Sequence, residues 1–181
     1  MMQIGHATPL RLFFALWPNA RERSALAAWQ PVLHECGGGR LMRPDTLHTT
    51  LVFLGEVAEA RLEALCLAAQ EVEFRAFELE LTTAHYWGHN HIVYAAPDAL
   101  PPPLEALVSG LEHRLRKHHF RFEERPYKPH VTLLRGADWS DAPLPALPAV
   151  QWRFAEFALV QSLREEQGAH YKVLARFAAA K

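Results

Sequence analysis

The chain has 181 residues, half of them hydrophobic, and its 19 lysines and arginines are nearly balanced by 20 aspartates and glutamates. This length and composition are typical of one globular core, and the balanced charge excludes a general electrostatic attraction for nucleic acid, so a local cluster of cations has to meet any polyanion. The two cysteines, Cys36 and Cys66, are too few for a disulfide framework or a CxxC metal site.

The cellular location is indicated by what the sequence lacks. No apolar run is long enough to cross a membrane, and residues 1–10 do not contain a basic segment followed by an apolar stretch. We therefore expect a cytoplasmic protein with no membrane partner. At this size a monomer is the expected state.

In chain order, the first half begins with the apolar run RLFFALW (11–17), which predicts a buried strand because it is rich in aromatic residues and is closed by a proline. Asn19 is a favourable N-cap, and apolar residues recur at helical spacing over 20–35, until the glycines of CGGG end the helix. A loop with an Arg-Pro pair leads to a strand that begins near His48. A second helix is predicted over 56–72.

In the second half, the alternation of FELELTT (77–83) predicts a half-exposed antiparallel strand, and HIVYAA (91–96) is its expected partner across a turn at 88–90. Prolines open, and basic residues close, a helix from Leu104 to His118. The remaining predicted elements are a strand that starts at His130, a proline-rich connector over 141–150, and two final strands over 154–162 and 171–177.

Two similar segments stand 82 positions apart, LHTTLVFLG (47–55) and PHVTLLRGA (129–137), and each carries His-x-Thr at the start of an apolar strand. The same shift moves the helix 20–35 onto 102–117, so the order strand, helix, Arg-Pro loop, His-x-Thr strand occurs twice. We therefore predict one bilobal domain over 1–181 with an internal duplication. Its expected class is α+β: two antiparallel sheets related by a rough two-fold axis, with helices on their outer faces and a cleft between them.

The two motifs carry the chemistry. Residues two apart in a strand point to the same side, so His48 lies beside Thr50 and His130 beside Thr132. Facing each other across a cleft, these pairs suit an in-line displacement at phosphorus, because imidazole can act as base on the attacking oxygen and as acid on the leaving oxygen. The threonine hydroxyls would hold the non-bridging oxygens. Neither motif contains an acidic residue to hold a metal, so we expect a reaction without metal or cofactor.

On these residues the chain resembles the 2H phosphoesterase superfamily, whose members carry two HxTx motifs, here 48–51 and 130–133. The segments RLFFAL, LHTTLVFLGEV and RPYKPHVTLLR make it similar to the RNA 2′,3′-cyclic phosphodiesterases of bacteria and archaea, also called 2′-5′ RNA ligases. The resemblance implies hydrolysis of an RNA 2′,3′-cyclic phosphate to a 2′-phosphomonoester. It makes His48 the proton donor to the leaving 3′ oxygen and His130 the proton acceptor from water.

The same resemblance implies that Thr50 and Thr132 hold the phosphate, and that the reverse reaction with a 5′-hydroxyl end would form a 2′-5′ linkage. The implied partner is RNA with a 2′,3′-cyclic phosphate end, such as a tRNA fragment, or a small cyclic nucleotide. The sequence does not choose among these substrates.

Four arginines near the motifs are candidate anchors for phosphate or a neighbouring nucleotide, because guanidinium suits bidentate phosphate contacts. They are Arg11, Arg43, Arg125 and Arg135. An ideal strand would place Arg135 on the face opposite Thr132, unless a bulge or the end of the strand returns it to the cleft.

Three aromatic residues are candidates to stack a terminal base, although aromatic residues of an apolar strand more often belong to the core. They are Phe13, Phe14 and Tyr127. Thr49 serves as an internal comparison, because it points away from Thr50, and we expect no catalytic role for it.

Two other classes of function remain open from the sequence. One is a module that binds RNA ends without turnover, although binding alone needs neither an acid nor a base. The other is a metal hydrolase built on the histidines of HYWGHNH (85–91); HRLRKHH (113–119) is a second histidine-rich segment. The first segment is predicted to lie in a hairpin and the second at a polar helix end, where solvated histidines are ordinary.

Overall fold

The computed structural model describes residues 7–140, 143–166 and 168–181. Residues 1–6, at the start of the N-terminal segment considered above, and 141–142, at the start of the proline-rich connector, lie outside the described residues. Within the described ranges the predicted α+β class is confirmed, with antiparallel sheets and four α-helices. None of the helices in these ranges is both long enough and apolar enough to cross a bilayer.

The strands and helices are distributed over two lobes. The strands are β1 (Leu10–Leu16), β2 (Arg40–Leu41), β3 (Thr49–Val57), β4 (Phe77–Leu81), β5 (Thr83–Trp87), β6 (Ile92–Ala96), β7 (Val131–Arg135), β8 (Val150–Phe154), β9 (Glu156–Glu165) and β10 (Gly168–Ala178). The helices are α1 (Ala20–Ala27), α2 (Trp29–Gly37), α3 (Leu62–Gln70) and α4 (Pro102–Lys117). The first sheet has the order β10-β9-β1-β3, the second β2-β7-β6-β5, and β4 pairs with β8. One motif strand, β3, is therefore an edge strand, whereas the other, β7, is internal.

The single helix predicted over 20–35 is wrong, because the chain forms two helices there. Its start is confirmed: the Asn19 side chain accepts a hydrogen bond from the N–H of Glu22, and the Glu22 carboxylate accepts one from the N–H of Asn19. The break after Ala27 follows from Pro31, which has no N–H to donate to the Ala27 carbonyl and whose ring crowds that carbonyl.

The predicted pairing of 77–83 with 91–96 is also wrong. The strand ends at Leu81, and β4 pairs with β8, a strand that the sequence did not predict and that begins at the last residue of the proline-rich connector. The chain turns at Thr82, whose N–H donates to the carbonyl of Ala96, and β5 then pairs with β6 across the predicted turn. The partners β4 and β8 are far apart in sequence, so no local pattern indicates their pairing.

Two predicted helix starts differ from the structure. The helix predicted from residue 56 begins at Leu62, because Glu56 and Val57 continue β3 opposite Arg11 and Leu10 of β1. The helix predicted from Leu104 begins at Pro102. The two final strands are confirmed, and both are longer than predicted.

One hydrophobic core joins the two lobes. It contains large side chains from both halves that are at most 2% exposed, including Phe14, Trp29, Leu111 and Trp152. Helix α2 of the first half packs against β7, and helix α4 of the second half packs against β3. Each half therefore covers the motif strand of the other, and each fully buried large side chain contributes about 1.5–3 kcal/mol to the shared core.

The close approach of β2 to β7 can be tested at Gly39. Its φ is +90°, and a Cβ there would lie 2.9 Å from the carbonyl oxygen of Arg135. Gly136 also has a positive φ, +67°, but a Cβ there would have no neighbour within 4 Å. We expect Gly39→Ala to lower the free energy of unfolding by about 3 kcal/mol and Gly136→Ala by about 1 kcal/mol, measured by urea denaturation. Equal losses in the two variants would contradict the close approach.

Candidate active site

A β-bulge follows the threonine of each His-x-Thr motif. The registers are Thr50 opposite Ala15 and Val52 opposite Phe14 in β3, and Thr132 opposite Tyr94 and Leu134 opposite Val93 in β7. Leu51 and Leu133 are therefore the extra residues of the two bulges, and they occupy the same position in the two motifs. An extra residue reverses the alternation of side chains beyond it. Consequently, the residue three positions after each threonine, rather than two, shares its face.

The bulges bring Phe53 onto the face of Thr50 and Arg135 onto the face of Thr132. An ideal strand would have turned Arg135 away from the cleft, and the bulge is the alternative that returns it. Arg135 lines the cleft together with His130. The corresponding positions of the two motifs therefore differ chemically, with an aromatic ring in the first half and a cation in the second.

The cleft between the sheets has two adjoining compartments of about 570 and 250 Å³, called here the larger and the smaller compartment. His48 lines the smaller compartment. Five residues line both: Thr50, Phe53, His130, Thr132 and Arg135. The motif side chains thus stand where the compartments join, in a concave space of the size that small ligands occupy.

His48 is held from two sides and surrounded by aromatic rings. Its Nδ1–H donates to the carbonyl of Thr46 at 2.7 Å, and its Nε2 accepts from the hydroxyl of Thr50 at 3.1 Å. The rings around it, with centroid distances of 5.1, 5.4 and 5.2 Å, are those of Phe13, Trp17 and Tyr171. Burial lowers the pKa of His48 to about 4, although the hydrogen bond to the Thr46 carbonyl opposes this shift.

His130 has a corresponding environment in the second half. Its Nδ1–H donates to the carbonyl of Lys128 at 2.9 Å, and the edge of its ring meets Trp87 at a centroid distance of 4.8 Å and Tyr94 at 5.7 Å. Burial lowers the pKa of His130, the Lys128 carbonyl opposes the shift, and the guanidinium of Arg135 adds to it.

Both histidines are therefore held in the same tautomer. In each, the Nδ1 proton is committed to a carbonyl two residues earlier, which leaves Nε2 unprotonated in the neutral ring. At neutral pH both rings are neutral, because burial has lowered both pKa values. This form accepts a proton directly. To donate one from Nε2, a ring must first become an imidazolium, which a neighbouring anion would favour.

The structure brings most of the predicted substrate-binding residues to the cleft. Arg11 and Phe13 line the smaller compartment, Arg125 and Tyr127 the larger, and Arg135 both. Arg43 lines neither compartment, and its guanidinium donates to the carbonyl of Ala169 at 3.0 Å. Of the two alternatives for Phe14, the core position is confirmed and base stacking is wrong, because Phe14 points to the opposite side of β1 from Phe13 and is fully buried in the core.

Sequence reasoning missed the aromatic residues that form much of the cleft wall. Phe53 lies within the first motif, and the shift of 82 onto Arg135 would have singled it out. Trp87 lies inside HYWGHNH, a segment considered only for its histidines. Tyr171 carries no signal in the sequence, because only the sheet order β10-β9-β1-β3 brings it to the cleft and to His48. Trp17, which follows β1, reaches the ring of His48 through the pairing of β1 with β3.

Two histidines of the histidine-rich segments have hydrogen-bonding partners outside the motifs. His85 shares a hydrogen bond of 2.9 Å with the hydroxyl of Thr83, and His118 contacts the Glu71 carboxylate at 3.0 Å. Across the ranges that the structure describes, no three His, Cys, Asp or Glu side chains are arranged to hold a metal ion.

Comparison with known proteins finds relatives that match nearly the whole chain. The family model described as LigT like Phosphoesterase matches twice, over residues 16–94 and 95–171. The RNA 2′,3′-cyclic phosphodiesterase of Escherichia coli (strain K12) is 33% identical over 94% of this chain and 97% of that protein. The RNA 2′,3′-cyclic phosphodiesterase of Thermus thermophilus is 33% identical over 93% of this chain and 89% of that protein.

Solved structures share the fold. Escherichia coli LigT in complex with 3′-AMP superposes with a TM-score of 0.84 and 30% identity, over 96% of this chain and 99% of that one. The protein TT0787 of Thermus thermophilus superposes with a TM-score of 0.74 and 28% identity, over 93% of this chain and 97% of that one.

The lowered pKa of His48 predicts that the fold loses stability in acid. In the unfolded chain His48 gains its proton near the ordinary pKa of 6.5, whereas in the fold it does so near about 4. The unfolded state therefore binds more protons between these values, and stability falls as the pH decreases through this window. We expect the wild type to lose about 2 kcal/mol more than His48→Gln between pH 7 and pH 5. Urea denaturation at both pH values measures this difference, and an identical pH dependence would contradict it.

Proposed function

Because the chain belongs to the LigT-like phosphoesterase family, we propose that it hydrolyses the 2′,3′-cyclic phosphate at RNA ends to a 2′-phosphomonoester. Relatives named RNA 2′,3′-cyclic phosphodiesterase, 33% identical over nearly the whole chain, support this reaction. The observation that carries the proposal is the meeting of two His-Thr pairs, 82 positions apart, in one cleft. We further propose that residues 1–181 form one bilobal domain, duplicated internally, in which each half supplies one pair.

In the proposed mechanism His130 is the proton acceptor and His48 the proton donor. The unprotonated Nε2 of His130 takes a proton from water as the water oxygen bonds to phosphorus. The bond from phosphorus to the 3′ oxygen breaks, and Nε2–H of His48 gives its proton to that oxygen. The phosphate remains on the 2′ oxygen, and no metal takes part. The carbonyls of Thr46 and Lys128 support these roles by holding both rings through Nδ1.

Proton supply at His48 is linked to substrate binding. The ring is neutral in the free protein, since its pKa is about 4. A cyclic phosphate carries a negative charge, and placing this charge beside His48 raises its pKa, so the ring gains the proton that it later donates. After turnover His130 holds a proton and His48 has lost one, and exchange with solvent restores both.

Uncharged donors and one cation hold the phosphate in this scheme. The hydroxyls of Thr50 and Thr132 donate to the non-bridging oxygens, and the guanidinium of Arg135 offsets their charge. The hydroxyl of Thr50, which donates to His48 in the free protein, turns to the phosphate when the substrate enters.

The rest of the substrate extends along the two compartments. Arg11 in the smaller and Arg125 in the larger compartment are the proposed contacts to neighbouring phosphates or bases. Phe13 is 3% exposed and packs on His48, so its contribution is to exclude water from that ring. A 5′-hydroxyl that replaced water at His130 would attack the same phosphorus, break the bond to the 3′ oxygen and form a 2′-5′ linkage, which is the reverse of cleavage of that linkage.

Hydrolysis of an oligoribonucleotide with a 2′,3′-cyclic phosphate end is the direct test. We expect a 2′-phosphomonoester as product, with a rate in EDTA within about twofold of the rate without it, because no metal activates the water. His48→Ala and His130→Ala should each lower kcat/KM by about 10³ or more, since each removes a proton-transfer group. Circular dichroism checks that both variants remain folded.

Three results would contradict the proposal. Loss of turnover in EDTA would favour a metal hydrolase, and formation of a 3′-phosphomonoester would exclude the proposed leaving group. Tight binding of a 2′-phosphorylated end without hydrolysis of any cyclic phosphate would instead identify an RNA-end-binding module.

The adjacent threonines provide a matched pair of variants. Thr49 is fully buried, and its hydroxyl has no hydrogen-bond partner among the residues that the structure describes, whereas Thr50 lines the cleft. We expect Thr50→Val to lower kcat by about 10- to 100-fold, through loss of a donor to the phosphate. Thr49→Val should leave kcat unchanged and raise the free energy of unfolding by about 1 kcal/mol, because it removes a buried hydroxyl without a partner. Steady-state kinetics and urea denaturation separate the two effects, and equal losses of kcat would contradict the assignment.

A further inference from the structure

The segment 123–128, which precedes the second motif, is bound along the open edge of β3. The N–H of Glu123 donates to the carbonyl of Phe53 at 2.8 Å, and the hydroxyl of Tyr127 donates to the carbonyl of Thr50 at 2.9 Å. In a regular strand, residues three apart direct their carbonyls to opposite edges. The bulge at Leu51 places both carbonyls on the same edge, so the segment binds β3 on both sides of the bulge.

Tyr127 and the residue after it contact the His-Thr pairs of both motifs, which are called here the two half-sites. Its hydroxyl holds Thr50 of the first motif, while the carbonyl of the next residue, Lys128, holds the ring of His130. The tyrosine is largely buried, and burial raises the pKa of its hydroxyl above the ordinary value. The group therefore stays protonated and keeps donating over the whole working range of pH.

A second hydrogen-bonding side chain crosses the lobes in the opposite direction. Gln30 on α2 is 2% exposed, and its amide donates to the carbonyl of Leu133 at 2.9 Å and to that of Met42 at 2.8 Å. The Leu133 carbonyl also accepts from the N–H of Met42 at 2.9 Å. Leu133 is the extra residue of the bulge in β7. A helix of the first half thus holds the bulge of the second motif, as a loop of the second half holds the bulge of the first.

We propose that Tyr127 and Gln30 are a reciprocal pair of positioning residues that set the separation and orientation of the two His-Thr half-sites. The kinetic consequence rests on the proposed function, because an in-line displacement needs His48 and His130 on opposite sides of one phosphorus at the same moment. Binding of the phosphate is less demanding, since either half-site alone can donate hydrogen bonds to it. Loss of the hydrogen bonds from Tyr127 or from Gln30 therefore lowers kcat and leaves KM nearly unchanged.

Tyr127→Phe is the decisive variant, because it removes only the hydroxyl and keeps the ring. Tyr86→Phe is its matched control: the Tyr86 hydroxyl also donates to a carbonyl distant in the chain, that of Ala137 at 3.0 Å, and lies 3.0 Å from Nδ1 of His91, but neither partner belongs to an HxTx motif. We expect Tyr127→Phe to lower kcat by about tenfold with KM within about twofold of wild type, because a small displacement of the reacting groups strongly lowers the rate of the chemical step. Tyr86→Phe should keep the wild-type kcat.

Gln30→Met gives the second arm of the test, since methionine matches glutamine in length and lacks the amide. We expect a loss of kcat at nearly constant KM that is smaller than in Tyr127→Phe, because the N–H of Met42 still donates to the Leu133 carbonyl. If this variant does not fold, Tyr127→Phe decides the outcome alone. A wild-type kcat in Tyr127→Phe, or equal losses in Tyr127→Phe and Tyr86→Phe, would overturn the proposal.

Amide hydrogen exchange keeps this inference separate from the proposed function. If Tyr127 holds the bulge, exchange over residues 49–57 is faster in Tyr127→Phe than in wild type and unchanged in Tyr86→Phe. Absence of cyclic-phosphate hydrolysis by the wild type would refute the proposed function, and the exchange data would then decide whether Tyr127 positions β3. Unchanged exchange in Tyr127→Phe would show that it does not.

Discussion

One extra residue after the threonine of each motif is the constraint on which the cleft depends. Without the bulges at Leu51 and Leu133, strict alternation would turn Phe53 and Arg135 away from the threonines that they accompany. A bulge interrupts the ladder of backbone hydrogen bonds, and a buried carbonyl left without a donor costs about 1–3 kcal/mol. From the opposite half, Tyr127 donates to the carbonyl of Thr50, and Gln30 donates to the carbonyl of Leu133, which also accepts from the N–H of Met42. The same contacts between the halves therefore support both the geometry of the cleft and the association of the lobes.

Burial gives the two imidazoles their chemical character. Aromatic rings from β1, from the residue that follows β1 and from β10 enclose His48, and Trp87 and Tyr94 cover His130, so both rings are neutral when the cleft is empty. The surroundings of the two histidines are similar but differ in charge at one position. A guanidinium lies beside His130 at the position where Phe53 stands in the first half, which adds a positive charge for an anion next to that ring.

The shared core holds the two halves of the chain together. Helix α2 packs on β7 and helix α4 on β3, so neither half can bury its motif strand without the other. The pairing of β4 with β8 adds a further connection between segments that are distant in the chain. Because the reacting groups come from different halves, their separation is determined by the packing of this core rather than by any local turn.

The sequence by itself determined the features that depend on near neighbours in the chain. The duplicated His-x-Thr pattern, the Asn19 cap and the strand beginning after His48 all follow from spacing and local propensity, as does the family resemblance. Only the tertiary structure decided the features that depend on distant partners. These are the pairing of β4 with β8, the side on which Arg135 lies, and the contacts that bring Tyr171 to His48 and Tyr127 to Thr50. Alternation predicts which residues share a face only until an unpaired residue intervenes, and nothing local to a strand records which distant donor will satisfy the carbonyl that the bulge exposes.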